Sequence, residues 1–291
     1  MSNFITVKKK IKTFKTTIEV SGDKSLSIRW VLLSSLAKGV SVAKNLLMSE
    51  DIFAALKAVK KLGIKVSFKK NFCKIYGKGI NGYRYKKNIT INAQNSGTLG
   101  RLILGLLINS PFKIKLIGDK SLSRRDFKRI IDPLSKFGCE FYPKNRSTLP
   151  LMIKKNKTIK QNKFFEDKGS AQVKSAIMLA ALQYKSTTEI IAKKSRNHTE
   201  NFFKFLNIPI KINKTKNFDR IKVKGVDCIK PFTYKVPSDI SSSLFFIALT
   251  VLSTNSSITI KNVNINSTRS GSIEILKRMG VKFNFKNIKN Y

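Results

Sequence analysis

The sequence predicts an α/β fold made by repeating one helix-and-sheet module, and three observations predict it. Polar or small-residue clusters open apolar, helix-like stretches at Lys24, Asn95, Ser170 and Asp239, with successive gaps of 71, 75 and 69 residues. In step with them, amphipathic segments stop at turns followed by strand-like runs at Gly63, Gly138, Asn207 and Gly280, spaced by 75, 69 and 73. A period this long marks a duplicated supersecondary unit, because solenoid repeats run at about 20–50 residues. The third observation is size: 291 residues, 42% of them hydrophobic, suit two domains with packed cores.

The elements of the first module follow in order from pattern. Residues 25–37 (SLSIRWVLLSSLA) have helical spacing and stop at Gly39, after which VSVAKNLL alternates as a strand does. Ser49, Glu50 and Asp51 then open a second, amphipathic helix that runs to Gly63. Two short strands, IKVSFKK and FCKIYGKG, come next, and after the loop NGYRYKK the strand NITINA leads to the next helix start at Asn95. The second and third modules keep this order, with Leu102 to Ile108 and Val173 to Leu182 as the apolar cores of their first helices. The fourth begins at Asp239 and is expected to finish on a strand, VKFNF.

Composition narrows the class. The longest apolar runs, near Leu102 to Ile108 and Leu244 to Leu252, fall far short of the ~20 residues of a membrane span. The start, MSNFITVKKKIKTF, has neither a continuous apolar core nor a small-residue cleavage site, so a soluble, cytoplasmic protein is expected. Cys73, Cys139 and Cys228 are far apart and read as reduced structural thiols, with no zinc-site pairing and no disulfide framework. No metal and no cofactor is expected. The 58 basic and 16 acidic residues give a net charge of +42, a field that attracts polyanions. Its lysines are nevertheless scattered through every module and alternate with Ile, Val and Phe, as solvated sheet faces do. With a screening length of about 8 Å at physiological salt and no nucleic-acid-binding module in the sequence, nucleic acid is not expected as the partner.

The helix starts are where chemistry can reside. A helix N-terminus presents unpaired N–H groups and a partial positive charge, so small or hydroxyl residues there with a nearby cation make an anion seat. The starts DKSLSIR, NSGTLGR and GSAQVK all have this make-up. Arg29 lies one turn beyond Ser25 on the same face, and Gly97 lets an anion approach the backbone. Each start alone is an ordinary N-cap; three in register with cations point to a shared anion site.

DKSLSIR, NSGTLGR, GDKSLSRR, GSAQVKSAIMLA, SRNHTE, PSDISSSLFFIA and NVNINSTRSGSIEILKRMG occur in this order from about Val20 onward. Together they resemble the 3-phosphoshikimate 1-carboxyvinyltransferase (5-enolpyruvylshikimate-3-phosphate synthase) family. The related UDP-N-acetylglucosamine enolpyruvyl transferases are a poorer match: they pair the early lysine with asparagine and carry a reactive loop cysteine, whereas here Ser25 follows Lys24 and Cys139 sits in a structural KFGCEF turn.

The resemblance implies an inside-out α/β barrel of βαβαββ modules, three per domain, with helices inward and sheets outward. One complete substrate-binding domain would span about residues 21–235; residues 1–20 and 236–291 would form part of a second. Four modules are present where family members have six, so the chain is expected to be an incomplete copy with little or no activity by itself. The implied reaction transfers the enolpyruvyl group of phosphoenolpyruvate to the 5-hydroxyl of shikimate 3-phosphate, on the route to chorismate and the aromatic amino acids, in an enzyme that is monomeric when complete.

By the same resemblance Lys24 would contact both substrates, and Ser25 and Arg29 would hold shikimate 3-phosphate. Gly97 and Arg125 would bind phosphoenolpyruvate. Ser170 and its neighbour Ala171 would receive the shikimate phosphate, Gln172 would touch both ligands, and Ser195 would be a further phosphate contact. Asp51 and Arg101 are expected to pair across modules or to form a plain surface salt bridge. The family's general acid and base are expected outside these modules, with Asp239 an N-cap and His198 a helix-entry residue. Two departures stand out: Asp126-Phe127 follows Arg125 where the family has Pro-Met, and Asn197 stands where the family has Asp. Two other readings remain, a non-catalytic basic protein binding anions or nucleic acid, and a UDP-N-acetylglucosamine enolpyruvyl transferase.

Overall fold

The computed structural model describes residue 6 and residues 11–69, 72–155 and 162–288. The N-terminal run read above for a secretory signal lies mostly outside the described residues, as does the last lysine of IKVSFKK. The chain forms two compact units, one of Lys24–Val236 and one of the stretch up to Asp23 with Pro237–Ile288.

The first described strand, β1 (Lys15–Ile18), belongs to the smaller unit. The larger unit contains three modules. The first runs α1 (Lys24–Leu36), β2 (Lys38–Lys44), α2 (Glu50–Lys61), β3 (Lys65–Lys69) and β4 (Phe72–Lys78). The second runs β5 (Thr90–Asn92), α3 (Gly97–Leu106), β6 (Ile114–Ile117), α4 (Lys120–Ser123), α5 (Lys128–Ser135), β7 (Cys139–Tyr142) and β8 (Leu151–Lys155). The third runs β9 (Lys163–Glu166), α6 (Ala171–Ala181), β10 (Thr187–Lys193), α7 (His198–Phe205), β11 (Ile210–Lys214) and β12 (Phe218–Lys224), and is followed by β13 (Thr233–Lys235).

Each module builds a four-stranded sheet of one topology: β13-β2-β4-β3, β5-β6-β8-β7 and β9-β10-β12-β11. In each the first pair is parallel and the other two are antiparallel. Thus β13, from the end of the unit, fills in the first sheet the place that β5 and β9 fill in the others. Alternation along the strands puts Cys73 and Ile75 in the core and Phe72, Lys74 and Tyr76 on the outer side.

The first helix of each module is buried on every side. In α1 every residue from Leu26 to Leu36 is buried, Trp30 completely, and in α6 every residue from Val173 to Ala181 is buried. Small residues permit this packing: a Cβ built on Gly105 of α3 would stand 2.3 Å from the Ala176 carbonyl oxygen of α6. The second helices bury one face only. Helix α2 buries Ile52, Ala55, Leu56 and Val59 and exposes Lys57, Lys60 and Lys61. Its first-turn acids and last-turn lysines oppose the helix dipole favourably. The larger unit therefore has helices inside and sheets outside, and the α/β expectation holds.

The four repeat-marking turns share one backbone state: Gly63, Gly138, Asn207 and Gly280 have φ of 84°, 84°, 53° and 88°. This left-handed conformation is the usual C-terminal stop of a helix and favours glycine or asparagine.

Three expectations need correction. The strand VSVAKNLL ends at Lys44, because Asn45 turns into the left-handed region at φ 57°. The second module contains an extra short helix, α4, capped by the Asp119 carboxylate, which accepts from the Leu122 N–H at 2.7 Å. The expected final strand VKFNF is irregular; its counterparts β3, β7 and β11 each pair with a following antiparallel strand, and none follows it among the described residues.

In the smaller unit β1 pairs in parallel with β14 (Ser257–Ile260), alongside α8 (Ile240–Val251) and α9 (Gly271–Arg278). Asp239 caps α8, accepting from the Ser241 N–H at 2.8 Å, and its carboxylate also takes a bond from Arg269 at 3.2 Å. Arg269 in turn holds the fully buried Asp23 at 2.8 Å. The N-cap reading of Asp239 is thereby supported.

Candidate functional site

The expected site residues all lie in the larger unit: Lys24, Ser25, Arg29, Gly97, Ser170, Ala171 and Gln172 in the opening turns of its buried helices, Arg125 just after α4, and Ser195 between β10 and α7. At the mouth of α3, Ser96 caps the helix by accepting from the Leu99 N–H at 3.3 Å. A Cβ built on Gly97 would come within 2.7 Å of Arg101 Nη1 and 3.1 Å of Arg125 Nη1, so two guanidinium groups converge on the bare Cα. Arg101 is 4% exposed and lies 4.8 Å from the centre of the Phe127 ring. It donates to the carbonyls of Gly97 at 3.2 Å and Asp126 at 3.3 Å, and its Nε–H has no hydrogen-bond partner among the described residues. Burial, with the charges of Arg129 and Arg125, lowers its pKa to about 10. Packing two arginines against one helix mouth costs electrostatic energy that an anion there would offset.

The pairing expected between Asp51 and Arg101 is not found. Asp51 instead faces Lys24 at 3.7 Å across the starts of α2 and α1, both side chains partly in solvent. Such an exposed pair contributes at most about 1 kcal/mol. Arg101 is spoken for by its own module, since the buried Phe127 ring and two carbonyls fix it from below. The Asp126-Phe127 departure acquires a physical meaning here: Phe127 supplies that ring, and the Asp126 carboxylate, held low in pKa chiefly by the Lys128 N–H, turns the chain into α5.

Arg125 is exposed, and the segment that carries it is set by α4. Besides capping α4, the Asp119 carboxylate accepts from Asn95 Nδ2 at 2.6 Å, which ties the NSGT turn to the GDKSLSRR segment. The Leu122 N–H, then the Asn95 amide, hold the Asp119 pKa below its ordinary value against slight desolvation.

At the mouth of α6 Ser170 is the N-cap, accepting from the Val173 N–H at 3.4 Å, and it donates its own N–H to Glu166 at 3.0 Å. Ser170, Ala171 and Gln172 are all partly exposed. Gln172 donates to Thr98 Oγ1 at 3.3 Å and so joins the α6 mouth to the α3 mouth. The hydroxyl oxygen of Ser195, between β10 and α7, is buried and has no hydrogen-bond partner among the described residues.

At α1 Lys24 is exposed and Ser25 partly so. Arg29, by contrast, is 4% exposed. Its Nη1 donates back to the Ser25 carbonyl at 3.0 Å, Nη2 to Ser175 of α6 at 2.9 Å, and Nε to Thr199 of α7 at 2.7 Å. The α1 mouth is therefore also joined to α6. Sequence reading does not single out Thr98, Asp119, Ser175 or Thr199; all four lie inside the quoted motifs, and only spatial pairing shows what they hold.

Among the described residues no group of three His, Cys, Asp or Glu side chains could hold a metal ion, and no helix is long and apolar enough to cross a membrane. Buried Cys73 and Cys139 have thiols raised to about 12 by desolvation, which keeps them protonated and inert. His198 is the first residue of α7 and is 2% exposed, as a helix-entry residue would be.

The family profile described as EPSP synthase (3-phosphoshikimate 1-carboxyvinyltransferase) matches residues 8–290. The chain belongs to this family. A 3-phosphoshikimate 1-carboxyvinyltransferase of Sulfurihydrogenibium sp. (strain YO3AOP1) is 40% identical over 281 residues, covering 96% of this chain and 65% of that protein. Its counterpart in Streptococcus pyogenes serotype M2 (strain MGAS10270) is 37% identical over 274 residues, covering 94% and 63%. A solved EPSP synthase from Acinetobacter baumannii superimposes with a TM-score of 0.83 at 32% identity, over 92% of this chain and 61% of that one. The chain thus spans just under two thirds of the length of these EPSP synthases.

Proposed function

We propose that this chain serves enolpyruvyl transfer from phosphoenolpyruvate to the 5-hydroxyl of shikimate 3-phosphate, and that the unit Lys24–Val236 holds the two substrates. The carrying observation is the bonding of three helix mouths to one another: α3 to α6 through Thr98 and Gln172, and α1 to α6 through Arg29 and Ser175. Beside them stand Lys24, Arg101 and Arg125. Both substrates are small phosphorylated acids, and holding them side by side against mutual repulsion is the task of such a cationic, helix-dipole-lined site.

In this reading Gly97 and Arg125 receive phosphoenolpyruvate, with Arg101 as the buried floor. The α6 mouth, Ser170 and Ala171, takes the shikimate phosphate, and the unpartnered hydroxyl of Ser195 is available to the same group. Ser25 and Arg29 hold the rest of shikimate 3-phosphate, while Lys24 and Gln172 reach both ligands. Addition of the 5-hydroxyl to C2 of phosphoenolpyruvate, with a proton delivered to the methylene carbon, gives a tetrahedral intermediate; loss of phosphate and of a methyl proton restores the enol ether. The residues above account for binding and charge stabilisation, and we assign none of them the proton transfers.

Calorimetric titration tests this reading. Shikimate 3-phosphate should bind the wild type and bind Lys24→Ala/Arg29→Ala at least tenfold more weakly (about 1.4 kcal/mol). Equal binding by the two proteins would sink it. A UDP-sugar or an oligonucleotide that bound in its place would favour the other two readings, which no relative described above supports.

A further inference from the structure

The polar cluster behind Arg29 has a role that the proposed function does not yet use. Arg29 is a long side chain with much rotamer freedom, yet its guanidinium is fixed by hydrogen bonds donated to α1, α6 and α7. Thr199 Oγ1 and Ser175 Oγ, which accept two of them, are themselves 2.6 Å apart, so the acceptors form one bonded pair. Their neighbours in sequence, Lys174 and Glu200, make a second link between α6 and α7 at 2.6 Å, with side chains 0% and 2% exposed. Two consecutive residues of α6 thus grip two consecutive residues at the start of α7.

A buried ion pair contributes little net stability compared with an apolar pair of similar volume. In this structure the seating of α7 that brings Glu200 to Lys174 is also the one that sets Thr199 against Ser175. Two hydroxyls then present oxygens at the spacing of the Nε and Nη2 groups of one guanidinium.

We propose that Ser175 and Thr199 are positioning residues for Arg29, and that the Lys174–Glu200 pair keys α7 to α6 so that they hold its guanidinium against the first turn of α1. This rests on the reading that Arg29 serves shikimate 3-phosphate. In consequence the HTE segment matters to substrate binding without touching the ligand.

The experiment compares wild type, Thr199→Val, Thr199→Ser and Ser175→Ala in two measurements. The first is the Arg29 Nε–H signal of the free protein by NMR, assigned by its loss in Arg29→Lys; the second is affinity for shikimate 3-phosphate. The expected result is a slowly exchanging signal in wild type and Thr199→Ser, exchange at least tenfold faster in Thr199→Val, and affinity about tenfold lower in Thr199→Val and Ser175→Ala but restored in Thr199→Ser. Should Thr199→Val fail to fold, Ser175→Ala carries the affinity comparison, since Ser175 accepts from Nη2 and not from the Nε–H that the signal reads. Unchanged exchange, or unchanged affinity once the signal is lost, overturns the proposal, as does lost affinity that Thr199→Ser does not restore. If the wild type itself binds no shikimate 3-phosphate the substrate reading fails, and the exchange comparison still decides whether the hydroxyls hold Arg29.

Discussion

Gly97 shows how far a single residue can govern the candidate site. Its backbone conformation demands nothing special; its value is the space that two guanidiniums fill. Alanine at this position would bring a methyl group within 2.7 Å of Arg101 and 3.1 Å of Arg125. The shorter contact is with Arg101, so its guanidinium must shift against Phe127 and the two carbonyls that hold it, and exposed Arg125 moves with it. Gly97→Ala is therefore expected to weaken phosphoenolpyruvate binding by about tenfold or more, with a small fall in melting temperature. Titration of the variant with each substrate checks this: loss of shikimate 3-phosphate binding alone would contradict it. That Lys24, Ser25, Gly97 and Gln172 open helices was legible from the sequence. The burial of Arg29 and Arg101 was not, because a charged side chain near a helix start reads as exposed until the elements that cover it are known.

At the scale of elements, the crossing of α3 and α6 sets how closely their mouths approach. The contact of Gly105 is with backbone, the Ala176 carbonyl, which cannot rotate aside as a side chain could. Gly105→Ala should therefore cost about 1–3 kcal/mol as overpacking does, a fall in melting temperature of several degrees, and should weaken both substrates together because the two mouths move apart. Calorimetric melting with titration tests both halves. A second expectation concerns α4 and acid. The pKa of Asp119 is depressed in the folded state, so its contribution to stability is fully present above its unfolded value, about pH 4, and fades as pH falls through the lower folded value. Thr- or Ser-like neutral capping has no such dependence. In Asp119→Asn the melting temperature should fall less steeply below about pH 4 than in wild type; parallel curves would show that this carboxylate is not a source of acid sensitivity. Helix α4 itself escaped sequence reading because four residues are too short to show a period.

For the whole molecule, closure of the larger unit depends on a strand distant in sequence. Thr233–Lys235 pairs with Val42–Lys44 and completes the first sheet. Residues 24–236 made alone are expected to melt cooperatively and to retain shikimate 3-phosphate binding, whereas a version stopped at residue 230 should melt markedly lower. Equal melting of the two would show that β13 is dispensable. The high positive charge belongs to this scale as well. It is spread over the outer faces of the sheets, on strands such as β4 and β12, whereas the cations of the candidate site are few and partly buried. Substrate affinity should accordingly depend on Lys24, Arg29 and Arg125 far more than on total charge.

The repeat was determined by sequence alone, because its markers are local: a small or polar helix start, and a turn that needs a left-handed residue at Gly63, Gly138, Asn207 and Gly280. Local steric rules write such positions directly into residue type. Tertiary structure alone decided which mouths meet and through whom. Thr98 with Gln172, Asn95 with Asp119 and Arg29 with Ser175 and Thr199 are pairs 74, 24, 146 and 170 residues apart, and a hydrogen bond between distant residues depends on packing that no local pattern records.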